Sequence, residues 1–215
     1  PLVTAGVAVL SITIATLPAP TQKNATRMMA YSSVAQAGPF LAIIAAMVPT
    51  TPDDGWKVLG AFLETINLLI FYAIIFAAMN YTVFITIDKL KVTKFSDFAG
   101  AGYSNPVAAV AITLALVSLT GLPPMAGFMG KLFIFRSVWS AYSLTGQSVF
   151  LALFTVGLLA TVGSLFFYLK IPFYAFFRRS EENQPIKIPL FTNLLLVILV
   201  GLLLVLFIAP GLLMG

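Results

Sequence analysis

The stretch Gly121-Leu122-Pro123-Pro124-Met125-Ala126-Gly127-Phe128-Met129-Gly130-Lys131 interrupts an apolar run that extends from Val107 to Phe135. It places two prolines, three glycines and one lysine inside that run. A helix that crosses a membrane tolerates such a break only where neighbouring protein or water satisfies the freed backbone groups. A lysine within a membrane segment costs free energy, so Lys131 is a candidate functional residue.

The composition indicates an integral membrane protein. Of the 215 residues, 60% are hydrophobic and 9% are charged, and the mean hydropathy is +1.03, values typical of membrane proteins. The net charge of +5 therefore reports loop orientation, and we expect no nucleic acid partner. The sequence contains no cysteine and no histidine, which excludes the usual ligands of iron–sulfur clusters, haem and zinc. We expect no cofactor or metal in this chain.

Six apolar runs predict six transmembrane segments. A helix needs about 20 apolar residues to cross the hydrocarbon core, and these runs lack the alternation of a membrane barrel. We therefore predict an all-α integral membrane protein with one broken helix. No basic region precedes the first run, which favours an interior or C-terminal part of a longer protein. The runs are Leu2–Leu17, Tyr31–Val48, Leu59–Ile87, Val107–Phe135, Val149–Leu169 and Leu190–Leu213.

The basic residues of the loops predict the orientation. Eight of them lie in the loops after the first, third and fifth runs, whereas two lie near helix ends on the opposite side. An excess of lysine and arginine marks the cytoplasmic side. The eight are Lys23, Arg27, Lys89, Lys91, Lys94, Arg178, Arg179 and Lys187, and the two are Lys57 and Arg136.

The fourth run is too long for a straight span. Its 29 residues would extend roughly 43 Å as a helix. The segment formed by Gly121, Pro123 and Pro124 supplies a break, because proline lacks the N–H donor and clashes with the preceding turn. Carbonyls near Leu119 and Thr120 then lose their helical partners. Hydropathy leaves two interpretations of Lys131 open, a side chain that snorkels to the outer interface or a functional group at the break.

Polar residues on other helices are candidates for a hydrated path. Ser32 and Gln36 are four residues apart and share a face of the second helix, and Asn80 interrupts the third run. Thr120, beside the break, is a further candidate. The structural alternative is that such residues join neighbouring membrane helices by hydrogen bonds.

Three motifs occur in order. They are Ala30-Tyr31-Ser32-Ser33-Val34-Ala35-Gln36-Ala37-Gly38, then Phe71-Tyr72 through Ala78-Met79-Asn80, then the quoted stretch that ends at Lys131. Together they resemble the antiporter-like membrane subunits of respiratory complex I, the proton-pumping NADH–quinone oxidoreductase, and most closely the subunit N type. The resemblance covers nearly the whole chain.

The resemblance implies a fold, a site and partners. The six segments would be helices 9 to 14 of a 14-helix subunit, with residues 1–179 as the second five-helix repeat and 180–215 as a cytoplasmic linker and final helix. Lys131 would be a proton relay at the end of a half-channel. Flavin mononucleotide, iron–sulfur clusters and quinone would belong to partner subunits. Other membrane subunits, lipid and the electron-transfer arm would be partners, in an energy-transducing membrane, most simply the bacterial inner membrane.

Two alternatives stay open. A subunit of a multi-subunit sodium/proton antiporter shares the fold and the lysine motif, although the asparagine at position 80 and the lack of histidine weigh against it. A purely structural membrane module with a snorkelling Lys131 is the other alternative.

Overall fold

A computed structural model describes residues 1–47, 55–178 and 187–214, and it describes the side chains of all of these except 55–58 and 214. Within these ranges the regular secondary structure is helical, so the predicted all-α class is confirmed. The helices are α1 (Leu2–Thr16), α2 (Ala25–Ala45), α3 (Gly55–Leu90), α4 (Ala101–Ser104), α5 (Pro106–Thr120), α6 (Ala126–Thr145), α7 (Ser148–Tyr168), α8 (Lys170–Phe177), α9 (Leu190–Ile208) and α10 (Gly211–Met214).

Five segments of the described residues are long and apolar enough to cross a membrane, so the chain is a multi-pass membrane protein. They correspond to five of the six predicted runs, and the remaining run forms the broken pair α5 and α6. The segments are Leu2–Thr21, Ala25–Ala45, Leu59–Leu90, Ser148–Phe177 and Leu190–Ile208.

The broken pair differs from the sequence prediction at its far end. The apolar run stops at Phe135, but α6 continues to Thr145. Hydropathy falls after Phe135 because of residues such as Arg136 and Ser137, yet these residues are compatible with a helix. The two halves contain 15 and 20 residues. The break therefore lies near the middle of the whole element rather than near one end.

The three loops with the predicted cytoplasmic basic residues meet at one end of the bundle. Asn24 pairs with Lys94 in an isolated antiparallel bridge, and the N–H of Gly100 donates to the carbonyl of Arg178 at 2.8 Å. The loops thus share one side, as the charge pattern requires, while its identity as the cytoplasmic side stays a prediction. Arg179, the side chain of Lys57 and the boundary predicted between residues 179 and 180 lie outside the described residues.

Lys170 and Asp97 stabilise the loops at this end of the bundle by hydrogen bonds. The ammonium of Lys170 donates to the carbonyl of Pro20 and lies 5.5 Å from the ring centroid of Phe95. The carboxylate of Asp97 accepts the N–H groups of Thr93 and Lys94 at 3.0 and 2.8 Å. Partial burial raises the pKa of Asp97, but these hydrogen bonds and those from nearby hydroxyls outweigh it, so the pKa lies below its ordinary value.

Candidate functional site

The break between α5 and α6 begins at a left-handed glycine. Gly121 has φ +85° and ends α5, and its N–H donates to the carbonyls of Val117 and Ser118 at 3.2 and 2.9 Å. This conformation costs little for glycine and is strained for residues with a Cβ atom. Gly121 therefore ends the first half of the element.

The second half of the element returns very close to the first. The N–H of Gly127 donates to Oγ of Ser118 at 3.1 Å. A Cβ atom at Gly127 would lie 1.8 Å from the carbonyl oxygen of Ser118. The start of α6 can pack against the end of α5 only because residue 127 has no side chain.

Lys131 caps the end of α5. Its Nζ atom donates to the carbonyls of Leu119 and Thr120 at 2.9 and 2.8 Å. The last carbonyls of a helix lack intrahelical partners and carry the negative end of the helix dipole, so they suit an ammonium group. The side chain reaches them because side chains on a helix lean towards its N-terminus. A Cβ atom at Gly121 would lie 2.6 Å from Cδ of Lys131, so the missing side chain at Gly121 makes room for the lysine.

This geometry weighs against snorkelling to the outer interface. Lys131 is the sixth of the 20 residues of α6, so the far end of that helix lies about 21 Å away at 1.5 Å per residue. That distance exceeds the length of a lysine side chain. The ammonium instead points back to the break in the middle of the element.

Gln36 and Tyr72 extend the hydrogen bonds at the break. Nε2 of Gln36 donates to the carbonyl of Leu119 at 3.4 Å, the same oxygen that Lys131 contacts. The hydroxyl of Tyr72 donates to Oε1 of Gln36 at 2.5 Å. Gln36 and Tyr72 are both buried. One backbone carbonyl thus joins α2, α5 and α6, and the amide of Gln36 links them to α3.

The side chain of Lys131 lines a cavity. It has a volume of about 60 Å³, which is space for a few water molecules. It lies among α1, α2, α6 and α7. Most of its lining is apolar, and the polar residues in it are Thr16, Gln36, Lys131, Thr161, Ser164 and Tyr168. Hydroxyl, amide and amine groups around such a space can hold water in a chain of hydrogen bonds.

The remaining predicted residues have different positions. Ser32 is buried, and its hydroxyl is hydrogen-bonded to the hydroxyl of Tyr168. Ser32 does not line the cavity itself but contacts Tyr168, which does. The hydroxyl of Thr120 donates to the carbonyl of Leu116 at 2.8 Å, so Thr120 contributes its carbonyl to the site. The amide of Asn80 donates to the carbonyl of Phe76 at 2.9 Å, and Asn80 does not line the cavity.

Two tyrosines of the site were missed by the sequence reasoning. Tyr72 and Tyr168 lie within apolar runs, where an aromatic residue resembles ordinary core. Both are buried to 2% exposure or less. A buried tyrosine hydroxyl normally requires a hydrogen-bond partner, and that requirement was the available signal. The motif that contains Tyr72 was recognised, but its hydroxyl was not assigned a role.

Lys131 is stabilised by backbone rather than by a carboxylate. Among the described residues, none of the carboxylates forms an ion pair with it, and the ion pair that these residues show joins Lys89 and Asp88 at 3.3 Å. The same residues contain no group of three histidine, cysteine, aspartate or glutamate side chains that could hold a metal. The arrangement can hold and exchange a proton at an amine beside a small cavity that several polar side chains line.

Fold and site define a class: a multi-pass helical membrane protein with a discontinuous helix whose break is capped by a lysine. The chain belongs to the family described as NADH:quinone oxidoreductase/Mrp antiporter, transmembrane, whose profile matches residues 2–158. The resemblance stated from the three motifs is therefore confirmed.

Relatives and solved structures agree with the family. NADH-quinone oxidoreductase subunit N 2 of Chloroherpeton thalassium is 37% identical over 183 residues, which cover 83% of this chain and 32% of that protein. A chain of respiratory complex I from Thermus thermophilus with bound aureothin gives a TM-score of 0.74 at 25% identity and covers 99% of this chain and 44% of that one. A chain of the Mrp complex of Dietzia sp. gives 0.73 at 18% identity, covering 99% and 45%, and shows the fold alone. The chain spans about a third of the length of the curated relatives it matches.

Proposed function

We propose that this chain forms part of a proton-translocating membrane subunit of NADH–quinone oxidoreductase, and that it supplies half of a proton pathway. The curated relatives are named as subunit N of that enzyme. The observation that carries the proposal is Lys131, whose ammonium caps two helix carbonyls at the break and whose side chain lines a cavity together with other polar residues.

Lys131 would exchange its proton with water or hydroxyl groups in the cavity. An ammonium group has three N–H donors, and the carbonyls of Leu119 and Thr120 take two of them. The third is free for water or a hydroxyl in the cavity. Hydrogen bonds to a charged group contribute about 1.5 to 3 kcal/mol each, so these two bonds favour the protonated form, whereas burial favours the neutral one. Loss of the proton weakens both bonds and frees the side chain to move.

The surrounding polar residues would connect this lysine to other parts of the pathway. Gln36 and Tyr168 line the cavity, and Ser32 is bonded to Tyr168. Thr120 contributes a carbonyl ligand. Asn80 lies on α3 away from the cavity, so its role in the pathway stays a prediction with less structural support.

Residues 1–179 would form the second five-helix repeat, and 180–215 would provide the linker and the final helix. Flavin mononucleotide, iron–sulfur clusters and quinone would be held by partner subunits, with other membrane subunits and lipid around this chain in a bacterial inner membrane. Since the chain spans about a third of its curated relatives, the complete pathway would need further helices.

The test replaces one lysine at the site and one elsewhere. Lys131→Ala should reduce proton pumping by the intact enzyme in membrane vesicles, with the amount of assembled enzyme nearly unchanged. Lys170→Ala is the matched control, because Lys170 bonds to a loop carbonyl at the end of the bundle. Normal pumping by Lys131→Ala would support a purely structural module instead.

A sodium/proton antiporter subunit is the alternative within the same family, whose description includes the Mrp antiporters. Purification of the complex that contains this chain separates the two functions. Copurifying flavin and iron–sulfur subunits would support the oxidoreductase, and their absence would support the antiporter.

A further inference from the structure

The carbonyl of Leu119 has two donors at different distances. Nζ of Lys131 lies 2.9 Å from this oxygen, whereas Nε2 of Gln36 lies 3.4 Å away. An N–H···O hydrogen bond is usually about 2.7 to 3.2 Å long. The bond from Lys131 lies within this range, and the contact of Gln36 is slightly longer than it. A carbonyl oxygen has two lone pairs and can accept from both.

The contact between Gln36 and Leu119 becomes important when Lys131 changes its protonation or its position. A neutral lysine is a weaker donor, and if it then turns into the cavity, the oxygen of Leu119 keeps Gln36 as its remaining side-chain donor. Without Gln36 it would be a buried acceptor with no such donor, which is costly. The amide needs to move by only a few tenths of an ångström to reach the usual distance.

Tyr72 determines which end of the amide faces Leu119. Its hydroxyl donates to Oε1 of Gln36 at 2.5 Å, and this contact leaves Nε2 as the group that points to the carbonyl. The tyrosine ring itself lies against α6, since a Cβ atom at Gly130 would be 3.0 Å from Cδ2 of Tyr72. Gly130 directly precedes Lys131. Tyr72 thus holds the amide of Gln36 in a fixed position relative to α6, the helix that carries Lys131.

We propose that Gln36 is a positioning residue for proton transfer at Lys131: its amide takes over the carbonyl of Leu119 whenever the lysine releases it. The inference rests on the proposed function and assigns Gln36 and Tyr72 a specific part in it. Proton release then leaves the end of α5 with a donor, and the break keeps its geometry through the cycle.

The other titratable groups at the site are few. Tyr168 of α7 lines the cavity, and Tyr72 of α3 faces α6. The helices α1, α5 and α9 contain no titratable side chain, and those of α2 lie near its start, at Arg27 and Tyr31. Arg136 on α6 itself is exposed. A change in pH dependence caused by residue 36 would therefore report mainly on Lys131.

The experiment uses Gln36→Leu in the intact enzyme in membrane vesicles. Without the amide of Gln36, the protonated form of Lys131, whose ammonium stays on the carbonyl of Leu119, is favoured. We expect pumping to fall about three- to tenfold and the pH profile of pumping to move to higher pH by about half to one unit, the effect of one lost buried hydrogen bond. Gln22→Leu is the matched control, since the amide of Gln22 also donates to a backbone carbonyl, that of Pro18, at 3.1 Å. It should change neither quantity.

The outcomes distinguish this inference from the proposed function. Reduced pumping with an unmoved pH profile would show that Gln36 is merely structural and would overturn the inference. If Lys131→Ala abolishes pumping while Gln36→Leu resembles the unchanged enzyme, the inference fails and the proposed function stands. If Gln36→Leu does not assemble, Tyr72→Phe replaces it, because it frees the amide to rotate. A smaller pH shift in the same direction supports the inference, and no shift overturns it.

Discussion

Replacing Gly121 by alanine should separate the shape of the break from the chemistry at Lys131. Gly121 has φ +85°, and an L-residue in the left-handed region costs roughly 1 to 2 kcal/mol. The new Cβ atom would also lie 2.6 Å from Cδ and 3.4 Å from Nζ of Lys131. The lysine must withdraw, and its two hydrogen bonds, worth about 1.5 to 3 kcal/mol each as bonds to a charged group, are weakened or lost. We expect a modest loss of stability and a severe loss of pumping.

Gly146 provides the control for this prediction. It also ends a helix in the left-handed region, with φ +65°, but a Cβ atom there would have no neighbour within 4 Å. Gly146→Ala should therefore have the same backbone strain without touching the lysine. The assay compares heat inactivation of the solubilised enzyme with proton pumping in vesicles. Equal pumping by the two variants would refute the argument that Gly121 makes room for Lys131.

Two further predictions concern packing and acid stability. Gly127→Ala should prevent assembly, because its Cβ atom would lie 1.8 Å from the carbonyl oxygen of Ser118. Gly201→Ala is the control and should assemble normally, since its Cβ atom would have no neighbour within 4 Å. Native gels of the complex measure both variants, and normal assembly of Gly127→Ala would contradict the packing argument. Asp97 has a lowered pKa in the folded chain, so its contribution to stability is present above the ordinary carboxyl pKa and is lost as the pH falls through the folded value. Asp97→Asn should remove that contribution, and thermal inactivation measured from pH 7 down to about pH 3 should show a smaller loss on acidification; an unchanged acid dependence would contradict it.

The sequence was sufficient to predict the helical class and the location of the break. Composition and run length require transmembrane helices, and Pro123 with Pro124 cannot continue a regular helix. The basic loops were predicted on one side, and the structure joins them through Asn24 with Lys94. These features depend on local chemistry, so they can be recognised without tertiary contacts.

The partners of Lys131 could not be predicted in the same way. Hydropathy ended the fourth run at Phe135 and left snorkelling open, because it cannot register a helix that continues with polar residues to Thr145. The contact of Gln36 with the carbonyl of Leu119 joins residues 83 positions apart. No single-helix pattern contains such a contact, since it depends on how α2 packs against the end of α5.

The proton-to-electron ratio of the Lys131→Ala enzyme decides whether Lys131 carries protons, because this ratio is independent of how much enzyme is assembled and how fast it turns over. It is measured in vesicles from protons moved per NADH oxidised, beside Lys170→Ala. If Lys131 is a proton relay, the ratio is lower for Lys131→Ala and unchanged for Lys170→Ala. An unchanged ratio in the Lys131→Ala enzyme would contradict the assignment of Lys131 as a proton relay.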